Sequence, residues 1–250
     1  ARRGDLLEEW SDFLLENSNY TVVFGSERLD NNNSNYTVSA TFRTVSNRAS
    51  GKLIVVSCDR YFEDNDDSMW QQLVRDEPDR LGTIHIGDNI YADVVATSYR
   101  SKIAAGQELP SCEQLEEQYR EVYRKTWGQK YAQKILRNGM NLMIPDDHDI
   151  YNNLDVQFGD KNYDIYPVVE AGLYAFMEYQ YQLHGDIDHV VRGKFNEIYF
   201  FREFMNVCWM FLDFRFGRAL RNDTAHPLIG TEQFRDIEQQ LATCGSRNKE

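Results

Sequence analysis

The sequence predicts an α/β domain built on a mixed sheet, with helices over the sheet and a β-rich appendage before it. Three observations carry that expectation. Short apolar runs alternate with amphipathic stretches of helical period from about residue 51 onward. Several of these runs stop abruptly at a residue that can bind a cation: Leu53–Ser57 at Cys58-Asp59, Thr83–Ile86 at Gly87-Asp88, Asn141–Ile144 at Pro145-Asp146-Asp147-His148-Asp149, and Val207–Leu212 at Asp213. An apolar fraction of 42% with 13% aromatics is enough to build a core in 250 residues.

The elements follow in order. Residues 5–16 place Leu6, Leu7, Trp10, Phe13 and Leu14 on one helical face, with Asp5 able to cap it. Residues 20–25 and 36–44 are β-branched or alternating and read as a hairpin around a polar loop. A hairpin alone is marginal in water, so residues 1–50 read as the tail of a β domain and 51–250 as the second domain. Strand 53–57 leads into the acidic loop 63–67, and Ser68 starts a helix to about 76. Strand 82–86 follows. Ser111 and Gln114 have capping-box spacing before a long helix with Leu115, Tyr119, Val122 and Trp127 on its buried stripe. Gly128 breaks it, and a further helix runs to about 138. Strand 141–145 comes next, then an aromatic helix over 167–183 that Gly185 can end. Strands at 196–203 and 206–213 read as an antiparallel pair, and a last helix spans about 231–242 from Thr231.

Composition narrows the function. A net charge of −13 opposes tight binding to a phosphate backbone, so a nucleic-acid partner is not expected. No apolar run reaches the length of a membrane span. Cys208 reads as a small buried hydrophobe inside a strand, while Cys112 and Cys244 flank helices and are able to pair. The chain opens Ala1-Arg2-Arg3-Gly4 without Met or a signal-peptide pattern, as a processed chain or a fragment would. Asn19, Asn32, Asn35 and Asn222 begin N-x-S/T sequons. They fit either a solvated polar loop or a glycoprotein of the secretory-pathway lumen, cell surface or exterior.

The segment Asp146-Asp147-His148-Asp149 is the most informative. Three carboxylates and an imidazole in four residues repel one another or demand a cation. In open α/β sheets, ligands collect beyond the carboxyl ends of the strands. Several strands ending in such side chains therefore imply one shared metal site. The acidic loop 63–67 lacks the alternation and Gly of a calcium loop and reads as solvated. His85, inside a strand, reads as a core or supporting histidine, and His226 as a loop residue.

Ser57-Cys58, His85-x-Gly87-Asp88-x-x-Tyr91, Asp146-Asp147-His148-Asp149 and Leu212-Asp213-x-Arg215, followed by Leu228–Gln233, resemble in order and spacing the PhoD-like metallophosphatases of the calcineurin-like phosphoesterase superfamily. The resemblance implies a metallophosphatase-type sandwich flanked by helices, and a β domain before it. It implies a metal-dependent phosphoester hydrolase with a phosphate-ester substrate, and iron (ferric) and calcium as cofactors. Cys58, Asp88 and Tyr91 would hold the iron. Asp88 would reach toward the calcium, with Asp147 and Asn152, or Asn153, as its ligands. His148 would be the catalytic acid or charge stabiliser. Arg60 and Arg215 stand beside the ligand-bearing strand ends as phosphate-binding candidates. Asp213 and Arg215 read equally well as a structural pair beneath the site.

Two departures accompany the resemblance. Asp149 stands where the family usually has Glu. The superfamily's later Gly-Asp-x-His-type block is not among these residues, since His184–His189 follows a helix and comes too early to replace it, so either the protein continues past Glu250 or the chain is a degenerate relative. A non-catalytic surface or assembly protein that keeps this fold is the alternative reading.

Overall fold

The computed structural model describes residues 18–26, 36–45, 50–61, 65–154, 164–183, 198–216 and 224–247. The expected helix at 5–16, the sequons at Asn32, Asn35 and Asn222, and the His184–His189 segment lie outside them. The α/β class stands, with the strands divided among three small sheets. Strands β1 (Asn19–Ser26) and β2 (Tyr36–Arg43) form an antiparallel hairpin. Strands β3 (Leu53–Val56), β4 (Gly82–Ile86) and β5 (Met140–Ile144) form a parallel sheet in sequence order. Strands β6 (Phe200–Phe204) and β7 (Val207–Phe211) make a second hairpin. Among the described residues, the one mixed sheet expected is thus a parallel sheet and a separate hairpin.

Six helices are described: α1 (Ser68–Asp76), α2 (Asp93–Ala104), α3 (Cys112–Trp127), α4 (Lys130–Arg137), α5 (Tyr166–Tyr179) and α6 (Thr231–Arg247). The capping box of α3 forms as the spacing predicts, with Ser111 and Gln114 bonded reciprocally. The start of α1 differs in one detail. The Asp66 carboxylate accepts the Ser68 N–H at 2.9 Å, so the cap comes from the acidic loop rather than from Ser68. Helix α2 is an element the sequence pattern does not announce. Its apolar residues do not form a strong stripe, and it is fixed instead by burying Val95, Ala96 and Tyr99.

Alternation along β4 separates two cores. Ile84 joins the main cluster with Tyr119, Leu142, Phe176 and the aromatic residues of β6 and β7. His85 points the other way, toward Trp70, which packs with Ala132 and Ile135 of α4. The N-terminal hairpin touches the opposite end of the sheet from the strand ends that carry carboxylates: Gly139 N–H donates to Thr41 O at 3.3 Å, and Thr41 Oγ1 bonds Asn138. Cys208 of β7 is joined to Cys244 of α6, with Cα atoms 6.4 Å apart. This corrects the reading of Cys208 as a plain hydrophobe, and leaves Cys112 as an exposed free thiol.

His85 yields a stability prediction. It is buried, donates Nε2–H to Asn141 Oδ1 at 3.1 Å, and lies near Trp70 and the Arg80 guanidinium. Burial, with some help from Arg80, pulls its pKa from 6.5 down to about 4. The unfolded chain therefore takes up the proton first. The stability associated with neutral His85 is intact above the unfolded pKa and is lost as pH falls toward the folded value, by about 3 kcal/mol at most. Urea unfolding midpoints at neutral and mildly acid pH should differ more for the native chain than for His85→Gln. Equal slopes would remove His85 from the acid transition.

Candidate metal centre

The parallel register sends β3, β4 and β5 out of the sheet on the same side. Beyond their ends the ladder continues: Cys58 N–H donates to Gly87 O at 3.3 Å, and Asp59 N–H to Asp88 O at 2.9 Å. The backbone here is unusual. Gly87 has φ of 106°, and a Cβ on it would stand 2.6 Å from Asp146 Cβ, so only glycine lets the β4 and β5 loops approach this closely. Cys58 (φ 61°) and Asp88 (φ 51°) adopt the left-handed region without being glycine. Such positions cost on the order of 1 kcal/mol each and concentrate where a side chain must be aimed.

What they aim at is a convergence on Asp88. Its Oδ2 receives Tyr91 Oη–H at 3.3 Å and Cys58 Sγ–H at 3.6 Å. Its Oδ1 receives the His148 backbone N–H at 3.3 Å. One carboxylate therefore looks toward two groups of donors, Cys58 with Tyr91 on one side and the β5 loop on the other. Ligand atoms of Asp88, Asp147 and His148 all lie within 4.8 Å of one another. Burial first, then Asp146 and Asp147, raises the Asp88 pKa, although His148 opposes this. Tyr91 is pushed far up by burial, Asp88 and Cys58. Acidic groups that crowd one another in this way are donors from which a multivalent cation displaces protons. The residues therefore fit a metal, and a thiolate with a phenolate suits a transition-metal ion better than carboxylates alone do.

His148 is held from three directions. Its Nδ1 bonds Asp93 Oδ2 at 2.7 Å, its ring stacks on Tyr91 with centroids 4.3 Å apart, and its carbonyl accepts the Ala92 N–H at 2.9 Å. Burial lowers the imidazolium pKa, but the Asp93 bond and charge outweigh it, so the net direction is up. Asp93, the first residue of α2, also accepts the Asn152 N–H at 2.6 Å. It is the residue sequence reasoning missed. Its place two residues after Tyr91 was the available signal, but a partnership across 55 residues has no local signature.

The other expected residues are placed as follows. Asp147 is buried and accepts the Asn153 N–H. Asn152 sits in the same turn with an exposed side chain. Arg215 bonds Asp146 through Nε and approaches Asp147 Oδ1 at 3.5 Å through Nη2. The Arg60 guanidinium lies 5.4 Å from the Tyr91 ring centroid, at the exposed edge beside Cys58. Asp213 is a turn-former: its Oδ1 accepts the N–H groups of Arg215 and Phe216 at 2.9 and 2.8 Å, and Gln233 of α6 clamps its backbone. This favours a structural role for Asp213 and leaves Arg215 as the member that reaches the site.

Residues 53–249 match the PhoD-like phosphatase family. This chain belongs to the PhoD-like phosphatases. A solved structure described as "Structure of PhoD" superposes with a TM-score of 0.59 at 18% identity. The alignment covers 90% of this chain and 45% of that one, so this chain spans about half of its length. At that identity the likeness speaks for the fold alone. No curated protein matches the sequence. The PhoD-like match begins at β3 and contains every residue of the centre, from Cys58 through Arg215.

Proposed function

We propose that this chain carries the metal centre of a phosphoester hydrolase. The observation that carries this reading is Asp88, whose Oδ2 faces Cys58 and Tyr91 and whose Oδ1 faces the Asp147–His148 loop, so that one carboxylate borders both sets of candidate ligands. Cys58, Asp88 and Tyr91 would hold a ferric ion. Asp88 and Asp147, with Asn152 or Asn153, would hold calcium through oxygen donors. Cations bound at these positions would polarise phosphoryl oxygens and make water a nucleophile at neutral pH.

The chain's own residues supply the rest. With Nδ1 committed to Asp93, His148 has Nε2 to offer to the phosphoester oxygen, where a proton must arrive as the bond to phosphorus breaks. Asp93 holds the tautomer and supports the imidazolium. Arg60, exposed and 5.4 Å from the Tyr91 ring centroid, would meet a phosphate entering from solvent. Arg215 balances Asp146 and Asp147 and keeps the β5 loop from springing apart. The Cys208–Cys244 disulfide and the exposed Asn19 sequon support a secreted, cell-surface or luminal setting, where disulfides persist.

The test is hydrolysis of p-nitrophenyl phosphate and bis(p-nitrophenyl) phosphate by the protein, before and after chelation and with metals restored. Turnover of at least one, abolished by chelator and recovered with iron and calcium, is expected. Undiminished turnover after complete metal removal would contradict the reading.

A further inference from the structure

Behind the ligand loops lies a buried polar plate that the chemistry above does not use. Asp149 is 0% exposed, Gln180 0% and Asn89 3%. Asp149 Oδ1 accepts the Asn89 N–H at 3.1 Å and Gln180 Nε2–H at 2.9 Å, and its Oδ2 accepts the Asp146 N–H at 3.0 Å. Gln180 Oε1 accepts Asn89 Nδ2–H at 2.7 Å. Asn89 Nδ2–H also reaches Ile144 O at 3.0 Å, and Gln180 Nε2–H reaches Tyr123 Oη at 2.9 Å. Asn89 immediately follows Asp88, and Asp146 and Asp149 bracket Asp147 and His148. Gln180 caps the far end of α5 and comes from neither loop.

We infer that Gln180 is a positioning residue for the metal centre, setting the distance between the Asp88 loop and the Asp147–His148 loop through Asn89 and Asp149. This rests on the metal-site reading above. The loops carry like charges and would separate without a tie. Beside the His148 N–H bond to Asp88 and the Ala92 N–H bond to the His148 carbonyl, the two loops are tied at the buried end through Asn89, Asp149 and Gln180. Gln180 is the single member whose amide both donates to one loop and accepts from the other, which an apolar side chain of the same length cannot do. A fully satisfied buried network is also stiff, and stiffness is what a preformed set of ligands requires.

The experiment uses Mn²⁺ as probe, with free ion followed by electron paramagnetic resonance, on the native protein, Gln180→Met and Tyr123→Phe. Gln180→Met keeps the side chain's length and removes all three of its hydrogen bonds. Tyr123→Phe removes only the oxygen that receives the second Gln180 N–H. Far-ultraviolet circular dichroism and thermal unfolding without metal are recorded for each. The expected result is a Gln180→Met protein with native secondary structure and about tenfold or greater loss of Mn²⁺ affinity, as for other residues that orient metal ligands. Tyr123→Phe should lose about threefold. A folded Gln180→Met protein that binds Mn²⁺ like the native one, whatever its melting temperature, overturns the inference and leaves the metal site standing. If Gln180→Met does not fold, Tyr123→Phe decides: native affinity overturns the inference, and weakened affinity supports it. A native protein that binds no Mn²⁺ overturns both readings.

Discussion

Asp88→Asn should lower phosphoester hydrolysis by about a thousandfold or more, equivalent to about 4 kcal/mol of transition-state stabilisation. It should do so in a protein that folds normally. Asp88 has φ of 51°, and Asn is among the few non-glycine residues that tolerate this region well. The amide keeps one oxygen to accept from Tyr91 or from the His148 backbone, but it cannot offer a charged oxygen to each side. Removing the charge also relieves the repulsion from Asp146 and Asp147 that raises the Asp88 pKa. The metal-free variant should therefore unfold no earlier than the metal-free native chain. Loss of activity accompanied by loss of folding would point to a structural carboxylate instead.

The second large effect is expected at His148. His148→Gln should reduce kcat by a hundredfold to ten-thousandfold, the range associated with a positioned general acid. The loss should shrink for substrates whose leaving group needs no proton. Asp93→Asn should give a smaller loss, about tenfold to a hundredfold, with KM nearly unchanged. The Asp93 carboxylate touches Nδ1 at 2.7 Å and acts through the ring, while Tyr91 and the Ala92 contact still hold the imidazole in place. Kinetics with p-nitrophenyl and alkyl phosphates would separate the two variants. Asp93→Asn losses equal to those of His148→Gln would show that orientation by Asp93 is the whole of the effect.

The strands were legible because each short apolar run ends at an unmistakable charge, and period-two alternation needs only a few residues to show. The parallel order β3-β4-β5 was not legible in that pattern, and it is this order that brings Cys58 and Asp147 to Asp88. Helix α2 was not legible because its buried residues are few and do not repeat at helical spacing over a long stretch. Long-range pairs were not legible either. Cys208 finds Cys244 across 36 residues, and Asn89 finds Gln180 across 91, and nothing local distinguishes these from any other cysteine, asparagine or glutamine. The same reason hid Asp93. A carboxylate at a helix N-terminus is commonplace as a partner of the helix dipole, and its second task depends on a loop that only the folded sheet brings alongside.

The most direct measurement is the metal content of the protein purified without added metal or chelator, compared with Asp88→Asn prepared in parallel. The account predicts near-stoichiometric metal in the native protein, iron foremost, and its loss from the variant. A native protein that is metal-free, stable and unable to take up metal when it is offered would contradict it.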